Sequence, residues 1–257
     1  MRSILVSLLV VTTFTVGCVQ PSSHQQSAAE PTHKPEHGTT PAQHHSFHVI
    51  PGTDSPSGKY AVAWGIKGNS KVDWKRLEGG DDKYLDSLLA DPEKTVEDYV
   101  VNRHSKTVIG TVHGVHYWKI ANRSENHGSM QVAWSSDERL AFIVHGGKWT
   151  FQSFDAVSLQ NGALVHQDDI GNEMTTAIRG WLNKTYPKDY LASKNQLAID
   201  ISHPVFVAGN SVFTADVAAE VPKADNGFSF EGKATFHIHY GANHAVHVAL
   251  QSLHKTP

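Results

Sequence analysis

The 257-residue chain contains a single cysteine, Cys18. An internal disulfide is therefore excluded, and any fold must be held by packing alone. Charge is sparse and nearly balanced, with 22 Lys+Arg against 25 Asp+Glu and a formal net charge of -3. Nothing resembles the clustered Lys and Arg that phosphate backbones require, so a nucleic-acid partner is not expected. Beyond the N-terminus no segment reaches the ~18 uncharged apolar residues of a membrane-spanning helix. There is also no Gly-x-Ser-x-Gly elbow, Walker loop, Rossmann glycine fingerprint or His-Glu-x-x-His pair. These absences name no catalytic residue and weigh against an enzyme.

What is present begins with Arg2 and the uncharged, mostly apolar stretch Ile4 to Val16. That length suits the h-region of a secretory signal and is too short to span a bilayer. The run Thr15-Val16-Gly17-Cys18 follows it and resembles the lipobox of bacterial lipoproteins, with Thr15 where a leucine-like residue is usual. The resemblance implies that residues 1–17 are a signal peptide and that Cys18 is lipidated, palmitate included. It places the protein in the bacterial cell envelope, facing the periplasm and held to a membrane by its lipid. Removing residues 1–17 leaves 21 Lys+Arg against 25 Asp+Glu, a net charge of about -4.

Residues 18–46 are rich in Pro, Ser, Thr, Gln and His and nearly lack large apolar side chains. Such a segment cannot bury enough surface to offset its ordering entropy. A disordered tether is expected, spanning roughly 30 Å. It holds His24, His33, His37, His44 and His45, with His48 just beyond. Their irregular spacing favours a solvated linker, and weak transition-metal capture is the alternative.

Two stretches further on are alike. Ser55-Pro56-Ser57-Gly58-Lys59 and Ser135-Ser136-Asp137-Glu138-Arg139 are each polar turns leading into an apolar β-type run. After the first come Val96 to Asn102 and Thr107 to Val112. After the second come Phe151 to Leu159 and Ala163 to His166, joined at Asn161-Gly162, a strong type I′ hairpin signal. The pattern resembles the Ser-Pro-Asp-Gly-Lys turn of TolB-like and WD40-like β-propeller repeats. That resemblance implies two blade-like hairpin units within 47–166, too few to close a propeller. Between them, Asp81, Asp82 and Asp86 beside Tyr84, Leu85, Leu88 and Leu89 predict a short helix ended by Asp91-Pro92.

Residues 167–257 open on the best helical pattern, Asp168 to Leu191. Ile170, Met174, Ala177, Ile178, Trp181 and Leu182 make one apolar stripe, Asp168 and Asp169 suit its N-terminus, and Pro187 bounds it. Five β-type runs follow: Leu197 to Ile201, Val205 to Ala208, Ser211 to Val221, Phe228 to Tyr240 and His244 to Leu250. Gly209-Asn210 and Asp225-Asn226-Gly227 read as turns. The expected fold is α+β and mainly antiparallel β. It has two blade-like modules, one amphipathic helix and a C-terminal antiparallel sheet, expected to be compact together from 47 to 257.

The last hairpin carries the one candidate metal site. Matching its apolar positions favours a three-residue loop, Gly241-Ala242-Asn243. His237 then faces His247, and His239 shares their face. Three imidazoles on one face can bind a borderline metal such as Zn²⁺ or Cu²⁺. His113 and His116 lie three apart, pointing to opposite faces if extended. His127 and His145, each before glycine, read as turn residues. Two functional readings lead, and a hydrolase whose site matches no known motif is a third. The first is an anchored, non-enzymatic binding or scaffolding domain for an envelope partner or ligand. The second is a periplasmic metal-binding or metal-dependent protein using His237, His239 and His247.

Overall fold

The computed structural model describes residues 46–148, 150–207, 209–221 and 228–257. The described residues, from 46 on, belong to one compact unit. The signal segment, Cys18, the tether before residue 46 and the Asp225-Asn226-Gly227 turn lie outside the described residues.

In chain order the first sheet holds β1 (Phe47–Val49), β2 (Tyr60–Ile66), β3 (Val96–Asn102) and β4 (Thr107–Val112). Helices α1 (Trp74–Glu78), α2 (Asp82–Leu88) and α3 (Pro92–Thr95) interrupt it between β2 and β3. A small hairpin, β5 (Lys119–Ile120) and β6 (Arg123–Ser124), leads to the second sheet. That sheet comprises β7 (Ser129–Trp134), β8 (Leu140–Gly146), β9 (Phe151–Gln160) and β10 (Ala163–Asp169). Helices α4 (Gly171–Thr185) and α5 (Pro187–Ser193) precede the third sheet. It is built from β11 (Ala198–Phe206), β12 (Val212–Glu220), β13 (Ser229–Tyr240) and β14 (Val246–Lys255). All four sheets are antiparallel and open, and among the described residues none closes into a barrel or propeller.

The three large sheets stack face against face. On one side of the middle sheet, Ala141, Ile143, Val157 and Leu159 pack with Tyr60, Val62, Trp64 and Val100 of the first. On the other side, Leu140, Phe142, Val144 and Phe154 pack with Phe213, Ala215 and Phe236 of the third and with Met174, Ile178 and Leu182 of α4. Being covered on both faces, β8 is buried from Leu140 through His145 and reads as a continuous apolar run rather than an alternation. β12 is covered on one face only, and its burial alternates.

The two Ser-rich turns are the same turn. Ser55 N–H donates to Tyr60 O at 2.8 Å and Gly58 N–H to Ser55 O at 2.8 Å. Ser135 N–H donates to Leu140 O at 2.8 Å and Glu138 N–H to Ser135 O at 2.9 Å. Each serine hydroxyl also accepts the N–H of the first strand residue, Tyr60 or Leu140, at 3.0 Å. A third copy opens the C-terminal sheet, where Val207 N–H reaches Val212 O at 2.8 Å and Asn210 N–H reaches Val207 O at 3.3 Å. The fourth turn position has positive φ in all three: Gly58 at 72°, Glu138 at 58° and Asn210 at 54°. The sequence pattern marks only two copies because backbone bonds, not side chains, define the turn.

Two helix expectations are corrected. Asp168 and Asp169 belong to β10, paired with Ala156 and Asp155, and the helix starts at Gly171. Asp169 still serves the helix start, since its Oδ1 accepts from Gly171 N–H at 2.9 Å. Pro187 bounds the helix as expected, since it has no N–H to continue it past Tyr186, and it opens α5, so the pattern to Leu191 is two helices rather than one. Likewise Pro92 begins α3 rather than ending α2. The short helix expected around Asp81 to Leu89 is α2, and the short helices α1 and α3 flank it. Asp73 and Asp81 cap α1 and α2 by accepting from Arg76 N–H at 3.1 Å and Tyr84 N–H at 2.9 Å. In the third sheet, the two runs expected from Leu197 to Ala208 are one strand with a bulge at His203, whose φ is 49°.

Candidate functional site

The imidazoles of the last hairpin share a face, but their register differs from the expectation. His239 lies opposite His247, and His237 lies opposite Ala249. The connection is five residues long, Gly241 to Ala245, closed by Gly241 N–H to Ala245 O at 2.8 Å. Asn243 and His244 both adopt positive φ there, 55° and 66°. The slip is two residues, and side chains alternate with period two, so all three histidines keep the solvent-facing side. The rings of His237 and His239 stack with centroids 5.0 Å apart, and His237 Nδ1 lies 3.2 Å from Ile238 O. His247 turns away toward α4, its Nδ1 3.8 Å from Glu173 Oε1. The structure thus brings two of the three together. Among the described residues, no group of three or more His, Cys, Asp or Glu is placed to hold a metal ion.

Among the described residues, the other histidines have structural partners or face solvent. His116 Nδ1 meets Val96 O at 2.9 Å, and His113 is exposed. His127 is a turn residue as expected, with φ 61°. His145 is not: it sits in β8, is buried, and its Nε2 lies 3.1 Å from Glu125 Oε2. Gly146 ends the strand, and Gly147 opens the turn that follows, its N–H donating to Thr150 O at 2.9 Å.

Two carboxyls are buried between the sheets. Asp98 in β3 accepts Tyr117 N–H at 3.0 Å through Oδ2, while Oδ1 has no partner. Burial raises its pKa well above the ordinary carboxylate value; the Tyr117 N–H opposes this and nearby Glu125 adds to it. Asp155 in β9 accepts from Gln167 Nε2 at 2.8 Å and leaves Oδ2 unpartnered. Burial raises its pKa too, against the bond from Gln167. Neither group lines the cleft at the turn end.

A cleft of about 560 Å³ lies where the turns gather. The first turn supplies Lys59 and Tyr60, and the second supplies Asp137, Glu138 and Arg139. The Asn161-Gly162 hairpin and the Tyr240 and His244 ends of the last hairpin complete its walls. Asn161 and Gly162 both have positive φ, 51° and 77°, which keeps that hairpin tight. Glu138 ties the turns together: its Oε1 accepts Ser57 N–H at 2.6 Å and its Oε2 accepts the Ser57 hydroxyl at 2.9 Å. One turn further on, Asn210 Oδ1 accepts Ser136 N–H at 3.0 Å. Burial pushes the Glu138 carboxyl up, but the bonds from Ser57 and Ser55 and the charge of Lys59 bring it below its usual value. Tyr240 is 58% exposed, and its hydroxyl pKa is raised by partial burial and by Asp137.

Glu138→Ala is expected to cost about 1–2 kcal/mol, because it removes charge-assisted bonds and keeps a left-handed residue. Glu138→Gly relaxes the backbone and is expected to recover part of that, about 0.5–1 kcal/mol. Urea denaturation of both variants checks the order. A glycine variant less stable than the alanine variant contradicts this account.

Sequence reasoning missed the cleft because its residues are scattered from Lys59 to His244, and each reads alone as turn polarity. The only local signals were the two Ser-rich turns and Asn161-Gly162. The fold defines the chain as a stack of open antiparallel sheets with a polar cleft at its turn end. No protein-family model and no curated protein matches it.

Proposed function

We propose that this protein is an exported bacterial lipoprotein, anchored in the cell envelope through Cys18, that binds a ligand or envelope partner without catalysing a reaction. The observation that carries the binding reading is the cleft at the turn end. It is built from all three large sheets, and its volume falls in the range of small-molecule sites, ~300–1,000 Å³. Its two carboxylates already serve as acceptors within the turns, which suits a module that holds a ligand better than one that moves protons. The Thr15-Val16-Gly17-Cys18 run supports the anchor.

Two measurements test the two halves. Cells fed a palmitate analogue are expected to label the wild type and not Cys18→Ser; equal labelling of both refutes the anchor. NMR of the untagged 46–257 body, titrated with a mixed fragment library, is expected to shift Tyr60, Asn161 and Tyr240 first. Hits that map only elsewhere overturn the cleft as the site.

A second reading, metal binding by His237, His239 and His247, is favoured by the 5.0 Å ring stack and by His239 lying opposite His247. The contact of His237 Nδ1 with Ile238 O leaves Nε2 as the ligand atom, the orientation metal-bound imidazoles usually need. It expects Zn²⁺ or Cu²⁺ to raise the melting temperature of the untagged protein, with the rise lost in His239→Ala. No stoichiometric metal and no thermal shift overturn it.

A further inference from the structure

Resting on the cleft-binding reading, we propose that the cleft at the turn end takes a charge-neutral saccharide, with the Tyr240 ring as its stacking surface. The lining selects no ligand charge. Its two cations, Lys59 and Arg139, are matched by two carboxylates, Asp137 and Glu138. Most of these groups are already engaged. Glu138 gives both oxygens to Ser57. The Lys59 ammonium lies 4.8 Å from the Tyr60 ring centre, with Glu138 also in its field. Asp137 Oδ1 accepts the Ser135 hydroxyl at 2.7 Å and the Arg139 N–H at 3.2 Å.

What the turns leave over is a mixed set of donors and acceptors. Asp137 Oδ2 is an open acceptor. The Arg139 guanidinium, exposed and without an ion pair among the described residues, is an open donor two residues along the same turn. Gln160 and Asn161, both exposed, add amides that donate and accept. A hydroxyl also does both. Vicinal hydroxyls on a sugar ring therefore satisfy an acceptor and a donor set side by side. A zwitterion would use only Asp137 and Arg139, and ion pairs this exposed to water contribute little. An apolar ligand would leave all of these groups unpaired.

Tyr240 points to a ring as the carrier of those hydroxyls. At 58% exposure it is the one aromatic among the large exposed apolar side chains of the described residues. It joins none of the hydrophobic clusters, so the packing of the fold does not account for it. Partial burial and then the Asp137 charge raise its hydroxyl pKa, so ring and carboxylate face the same space. A sugar ring lays its C–H face on an aromatic and holds its hydroxyls at the rim, where Asp137, Arg139 and the amides stand.

The test is NMR titration of the 46–257 body with neutral maltotriose, cellotriose and chitotriose, anionic trigalacturonate and the zwitterionic dipeptide Ala-Ala. At least one neutral trisaccharide is expected to shift Tyr240 and Asn161, more tightly than trigalacturonate or the dipeptide, with an affinity nearly unchanged by salt. Tyr240→Ala is expected to weaken it about fivefold. Asp137→Asn, which keeps the Oδ1 acceptor of the turn, is expected to weaken it as well. Tighter binding of the dipeptide or of trigalacturonate overturns the neutral saccharide and leaves the cleft-binding reading in place. So does silence from every probe while fragments still map to Tyr60 and Tyr240. Fragments mapping only elsewhere defeat the cleft itself. Both substituted side chains are exposed, so both variants are expected to melt within a few degrees of the wild type. Unchanged saccharide affinity in a folded Tyr240→Ala variant overturns the stacking role.

Discussion

Phe142→Ala is expected to lower the unfolding free energy by about 3–5 kcal/mol and the melting temperature by roughly 10 °C. Phe142 stands in β8 at the centre of the middle sheet and is fully buried. Its ring centre lies 4.4 Å from Phe213, 4.7 Å from Phe206 and 5.6 Å from Phe154. The first two belong to the third sheet and the last to the middle sheet, so one side chain joins two layers. Truncation removes apolar contact and leaves a cavity lined by rings too large to move in without strain. Val165→Ala is the control: 40% exposed on β10, it should change stability by less than about 0.5 kcal/mol. Urea and thermal denaturation measure both. A loss below ~1 kcal/mol at Phe142 would show that the second and third sheets do not share this core.

Local chemistry was legible where it decided the structure locally. The hairpin from Val96 to Val112 has the expected bounds because its strands are apolar and its Arg103 to Lys106 link is polar. Asn161-Gly162 made the turn its residues favour. The register of the last hairpin was not legible, since two consecutive non-glycine residues with positive φ lengthen its loop, and no propensity announces them. Asp168 shows a subtler miss. It does accept a backbone N–H, as its type suggested, but from Val246 at 2.7 Å rather than from a helix turn. With Glu173, which accepts Val248 N–H at 3.1 Å, it satisfies the free edge of β14. Those partners lie 75 residues or more away in sequence, beyond any periodicity argument. The cleft was illegible for the same reason, since three sheets must stack before Lys59 and His244 share a wall.

Asp98 gives the clearest pH signature. Its carboxyl has a higher pKa folded than in the unfolded chain, where it titrates near ~3.9. The folded state therefore binds the extra proton, and its contribution to stability is fully present below the unfolded value. That contribution is lost as the pH rises from about 4 through the raised folded value. Asp155, raised in the same direction, adds to the slope. Most buried carboxylates held by cations do the opposite. The cause here is that no cation faces Asp98: its neighbours are the Tyr117 N–H and the like charge of Glu125, and its Oδ1 is unpartnered. Asp98→Asn keeps an acceptor for Tyr117 N–H and cannot ionise. It is expected to be more stable than the wild type by about 1–3 kcal/mol at pH 8, with the gap closing toward pH 4. Urea midpoints of both proteins across that range decide it. A variant less stable than the wild type at pH 8 would mean that the ionised carboxylate is held by a partner, and that the buried polar layer between the first two sheets favours charge rather than resisting it.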